Sequence, residues 1–346
     1  MSAERIERLR ALVDEPFLVT SLVNVRYLTG LASSNAALLV EAERVRLFTD
    51  FRYAERARAV EGVEFVETTR ALATSLAELL PDRVAFEAAH VTYADWEKLS
   101  RGGRQLVART GVVEGLRAVK DAAEPDAIRG AAAITDRVYD ALATERFVGR
   151  TERDLAWRVE ELFHEEGADA LSFPVIVATG PNGAQPHALP GDRTVEPGHA
   201  VVVDSGALVD GYASDCTRTF AAGPLSQRLE DAYETCLRAQ LTGLELVRAG
   251  ASGRETDARA REVVDATEFR GTFRHGLGHG VGLLVHESPS LRQEEDWTLE
   301  PGNVVTVEPG IYLEGEGGIR IEDLVVVTDD GCEVLSSVTK DLVTVS

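Results

Sequence analysis

A thirteen-residue turn-strand-acid unit occurs twice in this chain, 104 residues apart. Thr194-Val195-Glu196-Pro197-Gly198-His199-Ala200-Val201-Val202-Val203-Asp204-Ser205-Gly206 aligns with Thr298-Leu299-Glu300-Pro301-Gly302-Asn303-Val304-Val305-Thr306-Val307-Glu308-Pro309-Gly310, identical at seven positions, with Asp204 opposite Glu308. The same offset pairs Gly149-Arg150 with Gly253-Arg254. Such a duplication predicts two halves facing each other across a pseudo-twofold axis. A lone acid at a strand end is ordinarily a solvated residue near a turn. Here each half supplies a second acid. Asp210-Gly211 between two apolar runs reads as a two-residue hairpin loop. That loop pairs Asp204 with Thr217 and leaves Asp204 and Asp215 diagonal neighbours on one face, roughly 7–8 Å apart at the backbone. In the second half, Val304 to Leu313 runs into Gly315, Gly317 and Gly318 and returns through Ile319-Arg320-Ile321-Glu322-Asp323. An odd-length loop there puts Glu308 and Glu322 on a common face. Converging acids repel unless a cation sits between them, so the economical reading is a metal site.

Histidine usage sharpens this reading. Three of the seven histidines fall in His275-Gly276-Leu277-Gly278-His279-Gly280-Val281-Gly282-Leu283-Leu284-Val285-His286. Imidazole is the commonest neutral metal ligand and the usual proton carrier near pH 7. The interleaved glycines allow close approach of backbone and ligands and argue against a helical zincin pair. The segment also lacks the Lys-Ser/Thr of a nucleotide loop. His187 follows the loop signal Gly180-Pro181-Asn182-Gly183, which holds it at the surface or in a cleft. His90, His164 and His199 have no such surroundings and read as ordinary surface or helix residues.

At 346 residues the chain suits two domains. No run approaches the roughly 20 apolar residues needed to span a bilayer. Ser2 to Val13 has an amphipathic helix pattern rather than a signal-peptide core, so a cytoplasmic location is expected. Cys216, Cys236 and Cys332 read as reduced. A net charge of −22 argues against a nucleic-acid partner, and the lack of a long apolar run argues against a membrane one. In the first third, apolar runs Phe17–Leu22, Ala36–Val40, Val45–Phe48 and Val84–Phe86 alternate with helical patterns near Phe51–Val60, Thr69–Leu80 and Tyr93–Leu99, an α/β domain. The boundary falls near Gly115–Val119, giving domains 1–118 and 119–346. Beyond it, Asp121 and Glu124 form a capping-box pattern opening a helix striped with Ile128, Ile134, Val138 and Leu142. Thr151 opens another with Leu155, Val159 and Leu162. Leu225–Val247 and Glu255–Ala266 repeat the plan.

From about Leu116 onward the chain resembles the catalytic domain of the pita-bread metallopeptidases, in the Xaa-Pro dipeptidase (prolidase) and Xaa-Pro aminopeptidase branch. The matching elements are Asp204-Ser205-Gly206-Ala207 through Gly211-Tyr212, Ser214-Asp215-Cys216-Thr217-Arg218-Thr219, His275 to His286 with Glu287, Glu308-Pro309-Gly310, and Arg320-Ile321-Glu322-Asp323. Asn24-Val25-Arg26-Tyr27-Leu28-Thr29-Gly30 and Thr49-Asp50-Phe51-Arg52-Tyr53 resemble the N-terminal domain of creatinases and prolidases. The resemblance implies an α/β N-terminal domain followed by an α+β pita-bread domain with internal pseudo-twofold duplication. It implies a dinuclear centre with ligands Asp204, Asp215, His279, Glu308 and Glu322. Asp215 and Glu322 would bridge both ions, Asp204 would chelate one, and His279 with Glu308 would hold the other. It further implies a homodimer in which the N-terminal domain of one subunit borders the other's active site.

Ligand chemistry agrees. Four carboxylates balance two divalent ions, and oxygen-rich ligation with one imidazole favours Mn²⁺, with Co²⁺, Fe²⁺ or Zn²⁺ also able to bind. Two ions sharing a water supply a bridging hydroxide near neutral pH. By resemblance, Glu308 passes on the water proton, and His286, with His187, stabilises the tetrahedral intermediate or leaving nitrogen. Arg320, two residues before Glu322, points toward the site; the alternative is a structural salt bridge. His275 is expected to orient a ligand or substrate. The expected activity is cleavage of Xaa-Pro dipeptides, with an aminopeptidase acting on longer peptides as the alternative. A dipeptidase must grip the free proline carboxylate, for which Arg is suited. Where many microbial prolidases place that Arg, this chain has Ser290, leaving Arg292, Arg320 or Arg26 as candidates. A metal-free binding module and creatine hydrolysis are disfavoured because every ligand position is retained. Methionine aminopeptidases usually lack the long N-terminal domain and the Arg320-x-Glu322 pattern.

Overall fold

The apolar runs of the first third build a six-stranded mixed sheet. In the computed structural model, which describes residues 2–346, its strands are β1 (Phe17–Val19), β2 (Ala36–Val40), β3 (Val45–Asp50), β4 (Glu64–Thr68), β5 (Arg83–Glu87) and β6 (Gln105–Arg109), ordered β4-β3-β2-β1-β5-β6. Strands β1, β2 and β3 are buried along their whole length; β1 and β2 accordingly read as unbroken apolar runs, whereas β3 also buries Arg46, Thr49 and Asp50. The edge strands β4 and β6 mix exposed and half-buried positions, and the sequence reading did not include them. The run from Phe17 to Leu22 is cut short by a helix, Leu22–Thr29. Its first turn is met by the Glu87 carboxylate, which accepts from the Thr20 and Ser21 N–H groups at 2.6 and 2.7 Å, an anion placed where the helix dipole favours one. Gly30, at φ 74°, ends that helix in the left-handed region. Other helices are Ser2–Arg10, Ala54–Arg58, Leu72–Leu79, Tyr93–Leu99 and Val112–Ala118; those expected over Ser2–Val13, Phe51–Val60 and Thr69–Leu80 are shorter than their apolar patterns. This unit ends at Arg117 and a second runs Ala118–Ser346.

The second unit is a doubled structure. Strands β7 (Ala170–Leu171), β8 (Ile176–Thr179), β9 (His199–Ser205), β10 (Ala207–Val209), β11 (Tyr212–Ala213) and β12 (Cys216–Ala222) belong to its first half. Strands β13 (Gly278–Gly280), β14 (Glu287–Arg292), β15 (Glu295–Asp296), β16 (Val304–Val307), β17 (Gly310–Leu313), β18 (Gly317–Arg320), β19 (Asp323–Val327), β20 (Cys332–Val334) and β21 (Thr344–Val345) follow. Pairing is antiparallel except between β12 and β21. Helices Glu124–Leu142 and Glu152–Glu165 pack on β8, β9 and β12 in one apolar cluster. Helices Gln227–Leu246 and Gly253–Asp265 pack on β16 to β19 in another. No helix among the described residues is long and apolar enough to cross a membrane.

The duplication is visible in the caps. Thr151 and Ser252 cap the second helix of their halves, and each bridges the start of its repeat, Thr151 to Thr194 and Ser252 to Thr298. Gly149 N–H donates to Val195 O, as Gly250 N–H does to Leu299 O. Structural equivalence there pairs Gly149 with Gly250, so the match of Gly149-Arg150 to Gly253-Arg254 is displaced by three residues. The second half is longer by that amount between cap and turn. The Asp121–Glu124 box is half formed: Glu124 accepts from Asp121 N–H at 2.9 Å, while the Asp121 carboxylate takes Ala123 N–H at 3.1 Å. The helix accordingly starts at Glu124.

Candidate metal centre

Two hairpins of different loop length deliver the four acids to one place. In the first, Asp210 and Gly211 adopt φ of 48° and 79°, the left-handed pair a tight hairpin turn needs. Val209 then faces Tyr212 and Thr217 faces Asp204, which puts Asp215 diagonal to Asp204 on the same face. In the second, Leu313 faces Gly317 across a loop of Glu314, Gly315 and Glu316. Val307 faces Asp323 and Gly310 faces Arg320, one continuous register in which Glu308 and Glu322 stand opposite. The halves join where β12 meets the β18–β19 junction. There Glu322 N–H donates to Thr217 O at 3.1 Å, and Thr217 Oγ1 donates to Glu322 Oε2 at 2.8 Å.

Ligand atoms of Asp215, His279 and Glu322 all lie within 4.8 Å of one another. His279 Nδ1 donates to Gly280 O at 3.1 Å, turning Nε2 inward, 3.3 Å from Glu308 Oε1 and 3.5 Å from Asp215 Oδ2. A backbone acceptor fixing the far nitrogen is the usual way a ligand imidazole is oriented. Asp204 is reached by Arg320, whose Nη2 donates to Oδ2 at 2.6 Å. Burial pushes the Asp215 and Glu322 carboxyls well above the usual range, and the neighbouring acids push them further. Burial also raises Asp204, with Arg320 opposing. Burial works the same way on Glu308, but the hydrogen bond and charge of His279, with His275 and Arg320, outweigh it and hold Glu308 at about 2.

The donor set fits divalent ions on its own geometry. Asp204 Oδ1, Asp215 Oδ1 and Glu322 Oε1 are buried without a hydrogen-bond partner. Buried polar atoms are nearly always satisfied, and three orphaned carboxylate oxygens in one cluster are what cations would satisfy. Carboxylates with one imidazole and no thiolate suit hard or borderline ions.

Around this cluster the other expected residues separate. Arg320 is buried and fully engaged. Beyond Asp204 it donates from Nε to Thr217 Oγ1 at 3.0 Å, and from Nη1 to Tyr312 Oη at 2.9 Å and Pro186 O at 3.1 Å. Tyr312 in turn donates to His275 Nε2 at 2.8 Å, because His275 Nδ1 is committed to Gly276 O. His275 thus touches the acids only through Tyr312 and Arg320. The His286 ring lies 4.1 Å from that of His279, centroid to centroid, tilted at 49°; burial and the His279 charge lower its pKa. His187 is exposed in the turn after Pro186, and its charge is felt at His286. Arg292 closes β14 at the surface in an ion pair with Glu295. Ser290 is buried and donates to the same carboxylate at 2.9 Å. Among the histidines set aside, His90 bonds Glu114 and His199 starts β9 beside Thr179. Sequence reasoning placed Thr217 only as the partner of Asp204, without its bonds to Glu322 and Arg320, and missed Thr306 and Tyr312. Thr306 Oγ1 donates to Glu308 Oε1 at 3.2 Å and accepts from His279 N–H at 3.1 Å. Hairpin arithmetic offered a signal for Tyr312: Gly310 faces Arg320, so Tyr312 is its diagonal neighbour.

The family profile described as Metallopeptidase family M24 matches residues 126–329, and that of the Creatinase/Prolidase N-terminal domain matches residues 5–119. A Bacillus subtilis protein named as the uncharacterized peptidase YqhT is 36% identical over 98% of this chain and 99% of its own length. The solved structure of an Xaa-Pro dipeptidase from Bacillus anthracis superposes with a TM-score of 0.95 at 35% identity, covering 99% of this chain and 100% of that one. That of an X-Pro aminopeptidase from Thermotoga maritima gives 0.89 at 32% identity, covering 98% and 100%.

Proposed function

Because the chain belongs to metallopeptidase family M24, we propose that it hydrolyses the Xaa-Pro bond of dipeptides with two divalent ions, Mn²⁺ foremost, held by Asp204, Asp215, His279, Glu308 and Glu322. The observation that carries this is the clustering of Asp215 and Glu322 with the inward-turned His279 imidazole, where Asp215, Glu322 and the neighbouring Asp204 each keep a buried carboxylate oxygen without a hydrogen-bond partner. When bound, the ions supply Lewis acidity and a water acidic enough to attack near neutral pH. The chain's own residues handle orientation and protons. Glu308, beside the permanent charge of Arg320, which favours its ionised form, accepts the proton of the attacking water and delivers it to the proline nitrogen. That nitrogen carries no hydrogen of its own and leaves only when protonated. His286 has no hydrogen bond to protein among the described residues, which leaves its N–H free for the developing oxyanion, with His187 beside it. Arg320 holds Asp204 in place and keeps the four acids from being wholly uncompensated.

His286→Ala should cut kcat by about 10²-fold or more with two metal equivalents retained. Loss of one equivalent on elemental analysis would reassign His286 as a ligand.

A second reading, Xaa-Pro aminopeptidase, is favoured by one observation: Arg292 is ion-paired with Glu295 and Arg320 with Asp204, so neither guanidinium is free for a substrate carboxylate. The test is hydrolysis of Xaa-Pro dipeptides against Xaa-Pro-Xaa tripeptides. A dipeptidase cleaves the former faster, and Arg292→Ala raises its KM for dipeptides far more than for tripeptides. Faster tripeptide cleavage by the parent protein selects the aminopeptidase.

A further inference from the structure

Among the described residues the His286 ring has no hydrogen bond to protein and one ring contact, with His279, so its direction depends on how its backbone is held. The next residue, Glu287, opens β14 and carries a buried carboxylate that meets Lys120 Nζ at 2.8 Å. The two side chains are 1% and 7% exposed and lie 167 residues apart in sequence. The Gly-rich segment is shaped around this carboxylate: a Cβ on Gly282 would sit 2.2 Å from Glu287 Oε1. Lys120 is itself anchored. Its N–H donates to Gly302 O at 3.0 Å, Val119 bridges Asn303, and Asn303 Nδ2 donates to Ala118 O at 2.9 Å. The segment Ala118–Lys120 is therefore strapped to the turn that launches β16 toward Glu308, and its ammonium reaches the residue next to His286.

We propose that Lys120 is a positioning residue for the hydrolysis: its buried ion pair with Glu287 fixes the backbone that aims His286 at the substrate. This rests on the role given to His286 above. A buried pair across so long a sequence separation is also a plain structural contact, and the two roles separate experimentally. A contact that serves only stability moves stability alone. A positioning contact moves the His286 ring and kcat while leaving KM and the metal count in place.

The test uses full-length protein labelled at the histidine Cε1 carbons, with the His286 signal assigned by its disappearance in His286→Ala. In metal-free Lys120→Met the His286 signal should shift or broaden, while those of His90, His164 and His187 stay. The His187 loop is held instead by Glu152, which accepts from Thr179 N–H and Gly191 N–H. In the metal-loaded enzyme, kcat should fall by about 10- to 100-fold, the loss expected from a displacement of about 1 Å. KM should stay within about twofold and the two metal equivalents should remain. Lys120→Arg, which keeps the pair, should restore most of kcat. Glu287→Gln should match Lys120→Met, and the double variant should be no worse than either single one. Should Lys120→Met not fold, Lys120→Arg and Glu287→Gln carry the same comparison. An unmoved His286 signal, a kcat loss that tracks loss of metal, or additive effects of the two substitutions would each overturn the proposal. If His286→Ala itself leaves kcat intact, the assigned role of His286 fails, and the ring signal still reports whether Lys120 holds it.

Discussion

Asp215→Asn and Glu322→Gln should each reduce turnover to background, a loss of at least about 10³-fold, and should lower bound metal from two equivalents to one or none. Both substitutions keep side-chain shape and remove one negative charge. Asp215 and Glu322 are the two acids that combine an orphaned buried oxygen with ligand atoms in the tight cluster, which is the observation behind the bridging role proposed for them. Full activity in a chelator-stripped sample shown metal-free by elemental analysis would sink the metal reading altogether. The same variants should behave oppositely in stability. Burial and the neighbouring acids raise both carboxyls above their unfolded values, so the metal-free native state binds more protons than the unfolded chain. Stability of the metal-free protein is then present at low pH and lost as pH rises past the ordinary carboxylate range. Asn or Gln cannot ionise, so at neutral pH the metal-free variants should unfold at or above the parent's temperature. The parent should overtake them once metal is added, because only it binds the full complement. A parent protein equally stable with and without metal would contradict this account.

That opposition explains which parts of the site were legible beforehand. Period-two alternation and turn chemistry locate strands and fix which residues share a face. The pairing of Thr217 with Asp204 follows from Asp210-Gly211 alone, and the common face of Glu308 and Glu322 follows from an odd loop. Contacts made between the halves leave no such trace. Thr217 bonds both Glu322 and Arg320, residues about a hundred positions away, and nothing local distinguishes it from any strand threonine. The same holds for Lys120 and Glu287. In the N-terminal unit the buried strands announced themselves by apolar runs, whereas β4 and β6 lie at sheet edges where one side needs no apolar residue. The start of the helix Leu22–Thr29 was hidden because Leu22 read as the last residue of the apolar run from Phe17. Its start depends on Glu87, more than sixty residues away.

Arg218→Met should be the most destabilising single change at the junction of the two halves, at about 3–5 kcal/mol. Arg218 and Asp323 have side chains 3% and 0% exposed and meet at 2.8 Å. The guanidinium also donates to the carbonyls of Thr339 at 2.9 Å, Thr217 at 2.9 Å, Val338 at 2.7 Å and Glu322. It therefore ties β12, the residue before β19 and the C-terminal segment together. Removing it takes away the donor of the Val338 and Thr339 carbonyls, while Thr217 O keeps Glu322 N–H and Glu322 O keeps the Cys216 thiol; stranding a buried acceptor costs more than the net value of the bond itself. Asp323 keeps Gln240 and Lys340 as partners, so the stranded carbonyls rather than an isolated carboxylate dominate the loss. The surface pair Arg137–Glu166, with side chains 50% and 33% exposed, supplies the contrast: Arg137→Met should cost no more than about 1 kcal/mol. Urea unfolding followed by the fluorescence of the three tryptophans, Trp96, Trp157 and Trp297, measures both. Activity should fall in the Arg218 variant even under conditions where it remains folded. Thr217 and Glu322, whose carbonyls it holds, are the residues through which the two halves share the site. An Arg218→Met protein as stable as Arg137→Met would show that the junction is held by packing alone.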